Sequence, residues 1–95
     1  MYRQLRFAWD EAKRASNLRI HGLDFRDSSE VFAGPTLTVE DDRFAYGERR
    51  FVTVGFIQGR VVTVVHTESG SVIRVISLRK ATRHEQARFL RQIHD

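Results

Sequence analysis

A histidine followed two positions later by a carboxylate, His66-Thr67-Glu68, closes the apolar run Val61-Val62-Thr63-Val64-Val65. In an extended strand residues i and i+2 share a face, so Glu68 can orient the imidazole and favour its protonated form. A strand-end histidine can equally be hydrogen-bonded to a neighbouring backbone group and do no chemistry. The next extended stretch, Arg74-Val75-Ile76-Ser77-Leu78-Arg79-Lys80, sets three cations among apolar residues, where burial without a partner would be costly. Arginine is always charged and presents a planar fork of donors that matches phosphate oxygens. Proton transfer and phosphate binding are therefore the chemistries these residue types offer. A further acid or base candidate is His21, at the end of a helical stretch with Lys13, Arg14 and Arg19 close in sequence.

Whether these groups meet depends on strand register. A three-residue loop Ser69-Gly70-Ser71 sets His66 opposite Arg74 and puts His66, Glu68 and Arg74 on one face, whereas a loop one residue shorter or longer turns Arg74 away. Arg79 lies an odd number of residues from Arg74, so a regular strand points the two oppositely unless it ends or bulges near Leu78.

Fourteen of the sixteen basic residues are arginine, and between Arg74 and Arg91 six basic positions face one acid, Glu85. With a net charge of +4 and a pI near 10.3, the chain is expected to meet an acidic partner, nucleic acid before acidic protein and either before a membrane. Ninety-five residues make one domain, residues 1–95. The absence of cysteine excludes disulfides, thiolate catalysis and cysteine-bound zinc, and no two of the four histidines have metal-ligand spacing, so neither metal nor cofactor is expected. The N-terminal residues lack the apolar core of a signal peptide and no run approaches the length of a membrane span, so a cytoplasmic protein is expected.

The elements that must position these side chains follow from periodicity. Leu5, Phe7 and Trp9 alternate as a short strand. Asp10 caps a helix over Glu11 to His21, with Ala12, Ala15 and Leu18 as its buried stripe and Gly22 as its left-handed stop. Asp24 opens a second helix whose face carries Phe25, Ser29 and Phe32, ended by Gly34-Pro35. Strands follow from Thr36 to a turn at Asp41-Asp42, from Glu48 to Phe56, from Arg60 to Thr67 and from Val72 to Leu78. Thr82 and Glu85 form a capping box for a last helix with Ala87, Leu90 and Ile93 inward. The order predicts an α+β domain: an antiparallel β-sheet with two N-terminal helices and one C-terminal helix, helices on one face and an open basic face on the other.

Two blocks carry a resemblance. Trp9-Asp10-x-x-Lys13-x-x-x-Asn17-x-x-x-His21-Gly22-x-x-Phe25, followed by His66-Thr67-Glu68 and Arg74-x-Ile76-Ser77-x-Arg79-Lys80-Ala81-x-x-x-Glu85, resembles the BrnT family of toxins from bacterial toxin-antitoxin modules over about Phe7 to Phe89. The resemblance implies a RelE-like fold and a ribonuclease that blocks translation. It also implies a BrnA-type antitoxin of ribbon-helix-helix fold that neutralises the toxin in a hetero-oligomer, with operator DNA reached only through that antitoxin. RNA can be cut without a metal when its own 2′-hydroxyl attacks the adjacent phosphate. In that reading His66 with Glu68, and His21 as a second candidate, transfer protons. Arg74 and Arg79 stabilise the transition state, and Arg19, Lys80 and Arg83 hold the RNA backbone. The family often carries lysine where this chain has Ile20 and tyrosine where it has Phe89. Two other classes fit the same composition: a toxin of related fold that acts on a protein such as DNA gyrase, and a non-catalytic RNA-binding module.

Overall fold

The alternating and helical patterns resolve, in a computed structural model that describes residues 4–42 and 47–94, into β1 (Arg6–Ala8), α1 (Glu11–His21), a 3-10 turn (Phe25–Asp27), α2 (Ser28–Ala33), β2 (Leu37–Asp41), β3 (Arg50–Ile57), β4 (Arg60–Ser69), β5 (Val72–Lys80) and α3 (Arg83–His94). The chain between Asp42 and Gly47, where the turn after Asp41-Asp42 was expected to continue, lies outside the described residues. Caps act where the sequence places them. Asp10 accepts from the Lys13 N–H at 3.0 Å, and Gly22 ends α1 at φ 71°. Thr82 and Glu85 exchange bonds of 2.8 and 3.1 Å. The β3–β4 hairpin turns through Gln58 and Gly59, both at positive φ (51° and 77°), the pairing a type I′ turn requires.

The sheet runs β1-β5-β4-β3-β2. The last four strands are antiparallel neighbours, but β1 lies parallel to β5, with Arg6 opposite Val72 and Ala8 opposite Arg74. The sheet is therefore mixed, not wholly antiparallel as expected. The physical reason is the crossover: the two helical segments and three strands between β1 and β5 are ample to bring the chain back in the same direction.

Helices cover both faces, which corrects the expectation of one covered and one open face. The 3-10 turn and α2 supply Phe25 and Val31 to a core with Val62, Val64, Ile73, Val75 and Leu78. On the other face α3 packs Phe89, Leu90 and Ile93 against Val54, Phe56 and Val61. Strand alternation separates the two sets. Gly55 leaves room for α2 on the sheet: a Cβ there would stand 2.8 Å from Val31 Cγ1 and 3.2 Å from the Pro35 carbonyl oxygen.

The stripe expected to bury α1 does not. Ala12 and Ala15 are exposed and Leu18 is 40% exposed. The buried residue is Asn17, because β1 pairs with β5 only as far as Arg74 and leaves later backbone groups of β5 without a strand partner on that side. Asn17 donates to the Leu78 carbonyl at 2.8 Å and accepts from the Leu78 N–H at 3.2 Å, and its amide also donates to the Leu23 carbonyl at 3.0 Å. One side chain thus satisfies both backbone groups of Leu78, as a neighbouring strand would. In α2 the inward residues are Ser28 and Val31, with Ser29 exposed, because the 3-10 turn that starts this segment advances the phase of the helix. In α3 the centre of the buried stripe is Phe89 and Ala87 is exposed.

Asn17→Ala is expected to lower unfolding stability by about 2 to 4 kcal/mol, the cost of leaving buried backbone groups unsatisfied. Urea denaturation of the two proteins, compared at equal m-value, checks it.

Candidate functional site

The β4–β5 loop is the two-residue pair Gly70-Ser71, with Gly70 at φ 59° and Ser69 opposite Val72. Glu68 therefore faces Ile73, and His66 faces Val75. Arg74 lies opposite Thr67 on the face away from His66, so the shorter register separates two groups that a three-residue loop would have joined. The register then slips: Val65 pairs with Ser77 and His66 with Val75, leaving Ile76 as an extra residue in β5. This bulge changes the parity of the strand, so Arg74, Ser77 and Arg79 share one face although an odd number separates the two arginines.

His66 is 1% exposed. Its Nε2 lies 2.7 Å from the Thr53 hydroxyl, which lies 2.7 Å from the Thr38 hydroxyl, and the ring stands edge-on to Phe32 and stacked near Phe51 at centroid distances of 5.2 and 5.9 Å. Burial lowers its pKa against the opposing pull of Glu68, which is exposed. The neutral ring suits these surroundings, since Nδ1 is buried with no hydrogen-bond partner among the described residues. His66 thus sits within the layer between sheet and α2.

Arg74 is exposed, and Arg6 of β1 lies diagonally across the same face. Arg79 is committed to Glu85 by two bonds of 2.8 and 3.0 Å. Glu85 also accepts from the Thr63 hydroxyl at 2.9 Å and from the Thr82 N–H, and the Arg79 guanidinium first among these donors lowers its pKa to about 2. The carboxylate thereby ties β4 and β5 to the first turn of α3. Arg19 and Arg83 are exposed on α1 and α3. Ile20 is 69% exposed, and Phe89 is buried with its ring 5.1 Å from that of Phe56.

His21 and Lys80 are brought together. They line a cleft of about 440 Å³ with Leu23, Gly59, Arg60, Val61, Val62 and Gln86, where the end of α1, the β3–β4 turn, the end of β5 and the first turn of α3 meet. Sequence reasoning missed Arg60 and Gln86. The proximity of a turn to a helix start is set by the sheet order, and only the Gln58-Gly59 turn signal hinted that Arg60 opens a strand at a hairpin. An exposed imidazole that lines one cleft with a lysine and an arginine can exchange protons with the ribose hydroxyls of a bound RNA while the cations hold the phosphate charge. Among the described residues no three His, Cys, Asp or Glu side chains are grouped as a metal ion would need, and no helix is long and apolar enough to cross a membrane.

Residues 9–85 match the family model described as ribonuclease toxin, BrnT, of type II toxin-antitoxin systems. Among solved structures the chain is similar to the Brucella abortus ribonuclease toxin BrnT, known from a 1.1 Å crystal structure, with a TM-score of 0.68 and 30% identity over 84% of this chain and 100% of that one. No curated protein matches.

His66, Glu85 and Asp24 make stability depend on acid. The His66 pKa is lowered by burial, so the unfolded chain binds more protons below the ordinary imidazole pKa and stability falls as pH drops through the folded value. Glu85, held by Arg79, and Asp24, held by Arg26 and Arg14, both titrate at about 2. Their contributions are complete above the ordinary carboxylate pKa and are lost as pH falls toward 2. Urea midpoints measured from pH 8 to 3 are expected to fall in two stages. In His66→Gln the first stage is absent and the second, carboxylate stage remains.

Proposed function

The chain belongs to the BrnT family of ribonuclease toxins of type II toxin-antitoxin systems, and on that premise we propose that it is a metal-independent RNA endonuclease whose reaction centre is the cleft holding His21, Arg60 and Lys80. The observation that supports this most is that the cleft joins an exposed imidazole to two cations. The ribose 2′-hydroxyl attacks the adjacent phosphorus, and His21 takes the proton from that hydroxyl. The bond to the 5′-oxygen breaks as the 2′-oxygen bond forms, leaving a 2′,3′-cyclic phosphate, and the departing 5′-oxygen takes a proton from Lys80. Arg60 stabilises the charge on the equatorial oxygens. Arg74 and Arg6 guide the backbone over the open part of the sheet, joined by Arg19 and Arg83 at the helix surfaces.

His66, Glu68 and Arg79 have supporting parts in this reading. His66 fixes the spacing between the sheet and α2, Glu68 acts on it electrostatically, and Arg79 holds α3 through Glu85. The chain works in the cytoplasm, where messenger RNA is translated. Its fold is of the RelE-like kind, and a BrnA-type ribbon-helix-helix antitoxin masks the basic surface and carries the complex to operator DNA.

Purified protein is expected to cut RNA in the presence of chelator, to leave cyclic phosphate ends and to spare DNA and 2′-O-methylated RNA. His21→Ala is expected to slow cleavage by roughly 100-fold or more, the scale of a lost general base. Arg60→Ala is expected to weaken binding and to reduce the slope of log affinity against log salt by about 0.7, one phosphate contact to a single strand. Folded wild-type protein that cuts neither free nor ribosome-bound RNA overturns the proposal and moves the target to a protein.

A further inference from the structure

The first turn of α3 places a second kind of group in the cleft. Gln86 lines it and is held at both ends: its backbone N–H bonds to the Thr82 carbonyl at 2.9 Å, and its side-chain Nε2 donates to the Ala81 carbonyl at 3.0 Å. A carbonyl only accepts, so this bond decides which way round the amide sits. Nitrogen is turned toward Ala81 and Oε1 is left without a protein partner among the described residues. The cleft around it is built in two parts, with Leu23 and Val62 from the apolar core on one side and Arg60 and Lys80 at the rim. Such a lining suits a group with a flat apolar body, polar edges and an attached phosphate.

We infer that Gln86 is a specificity-determining residue, reading the nucleobase next to the scissile phosphate through Oε1 and favouring bases that carry an exocyclic amino group over uracil. This rests on the ribonuclease reading above and adds the substrate preference of the same cleft. The amino groups of adenine, cytosine and guanine project from the ring and can donate to a fixed acceptor. The one ring N–H of uracil is recessed between two carbonyl oxygens, which would meet Oε1 as acceptor against acceptor. A fixed amide rejects the wrong pattern because it cannot turn without giving up its bond to Ala81.

Binding of 2′-O-methyl oligonucleotides, which have no attacking hydroxyl, separates recognition from reaction. By fluorescence anisotropy the wild-type protein is expected to bind oligo-A and oligo-C roughly 5- to 10-fold more tightly than oligo-U, a preference on the scale of one good hydrogen bond. Gln86→Leu and Gln86→Met, which keep the apolar bulk and remove the acceptor, are expected to level the three affinities. Lys80→Ala is expected to weaken all three alike. Equal binding of the three by wild type, no binding of any, or an unchanged preference in both Gln86 variants overturns the inference. A preference that Gln86 controls, in a protein that cuts no RNA, leaves the base-reading role standing and removes the ribonuclease reading alone.

Discussion

The pairing of the Asn17 amide with both backbone groups of Leu78 is the contact on which the arrangement of the molecule turns. It fastens α1 to β5 just beyond the Ile76 bulge, where β1 no longer supplies a neighbouring strand. A strand edge with unpaired groups beneath a helix would be unsatisfied, and an apolar residue at position 17 would leave it so. Asn17 makes the helix the continuation of the sheet. By fastening α1 to β5 it also holds His21, one turn further along the helix, in the cleft that Lys80 and the β3–β4 turn line.

Charge is divided by the same sheet. The bulge turns Arg74 and Arg79 to one face, but they differ in state: Arg74 is exposed, whereas Arg79 gives its fork to Glu85. A single carboxylate at 22% side-chain exposure accepts from Arg79, Thr63 and the Thr82 N–H, joining two strands and a helix start. Hydrogen bonds to a charged group are about twice as strong as neutral ones. The first turn of α3, which carries Gln86 into the cleft, is thereby tied to both strands.

His66 combines a chemically versatile side chain with a fully buried position. Its imidazole occupies a core position with one nitrogen satisfied, Nε2 on Thr53, and the other, Nδ1, without a partner among the described residues. Packed between Phe32 and Phe51, it holds a polar link inside a largely apolar layer. Such links favour one packing over alternatives because only one arrangement satisfies them.

Residue spacing and local chemistry were enough to reveal α1 from Glu11 to His21, the caps at Asp10, Gly22 and Thr82, the order of elements, the hairpin pairings of β3, β4 and β5, and the motif blocks of the family. Each depends on neighbours within a few residues, where backbone geometry dictates the outcome. The direction of β1, the second covered face, the burial of Asn17 in place of Ala12 and Ala15, and the bulge at Ile76 were decided by the tertiary structure. Each is a choice between partners distant in sequence. Whether an asparagine or an alanine stripe faces inward depends on whether the opposing surface is a closed apolar layer or an open strand edge. The cleft belongs to this second class: His21, Arg60, Lys80 and Gln86 come from four separate elements, and only the packing of those elements brings them together.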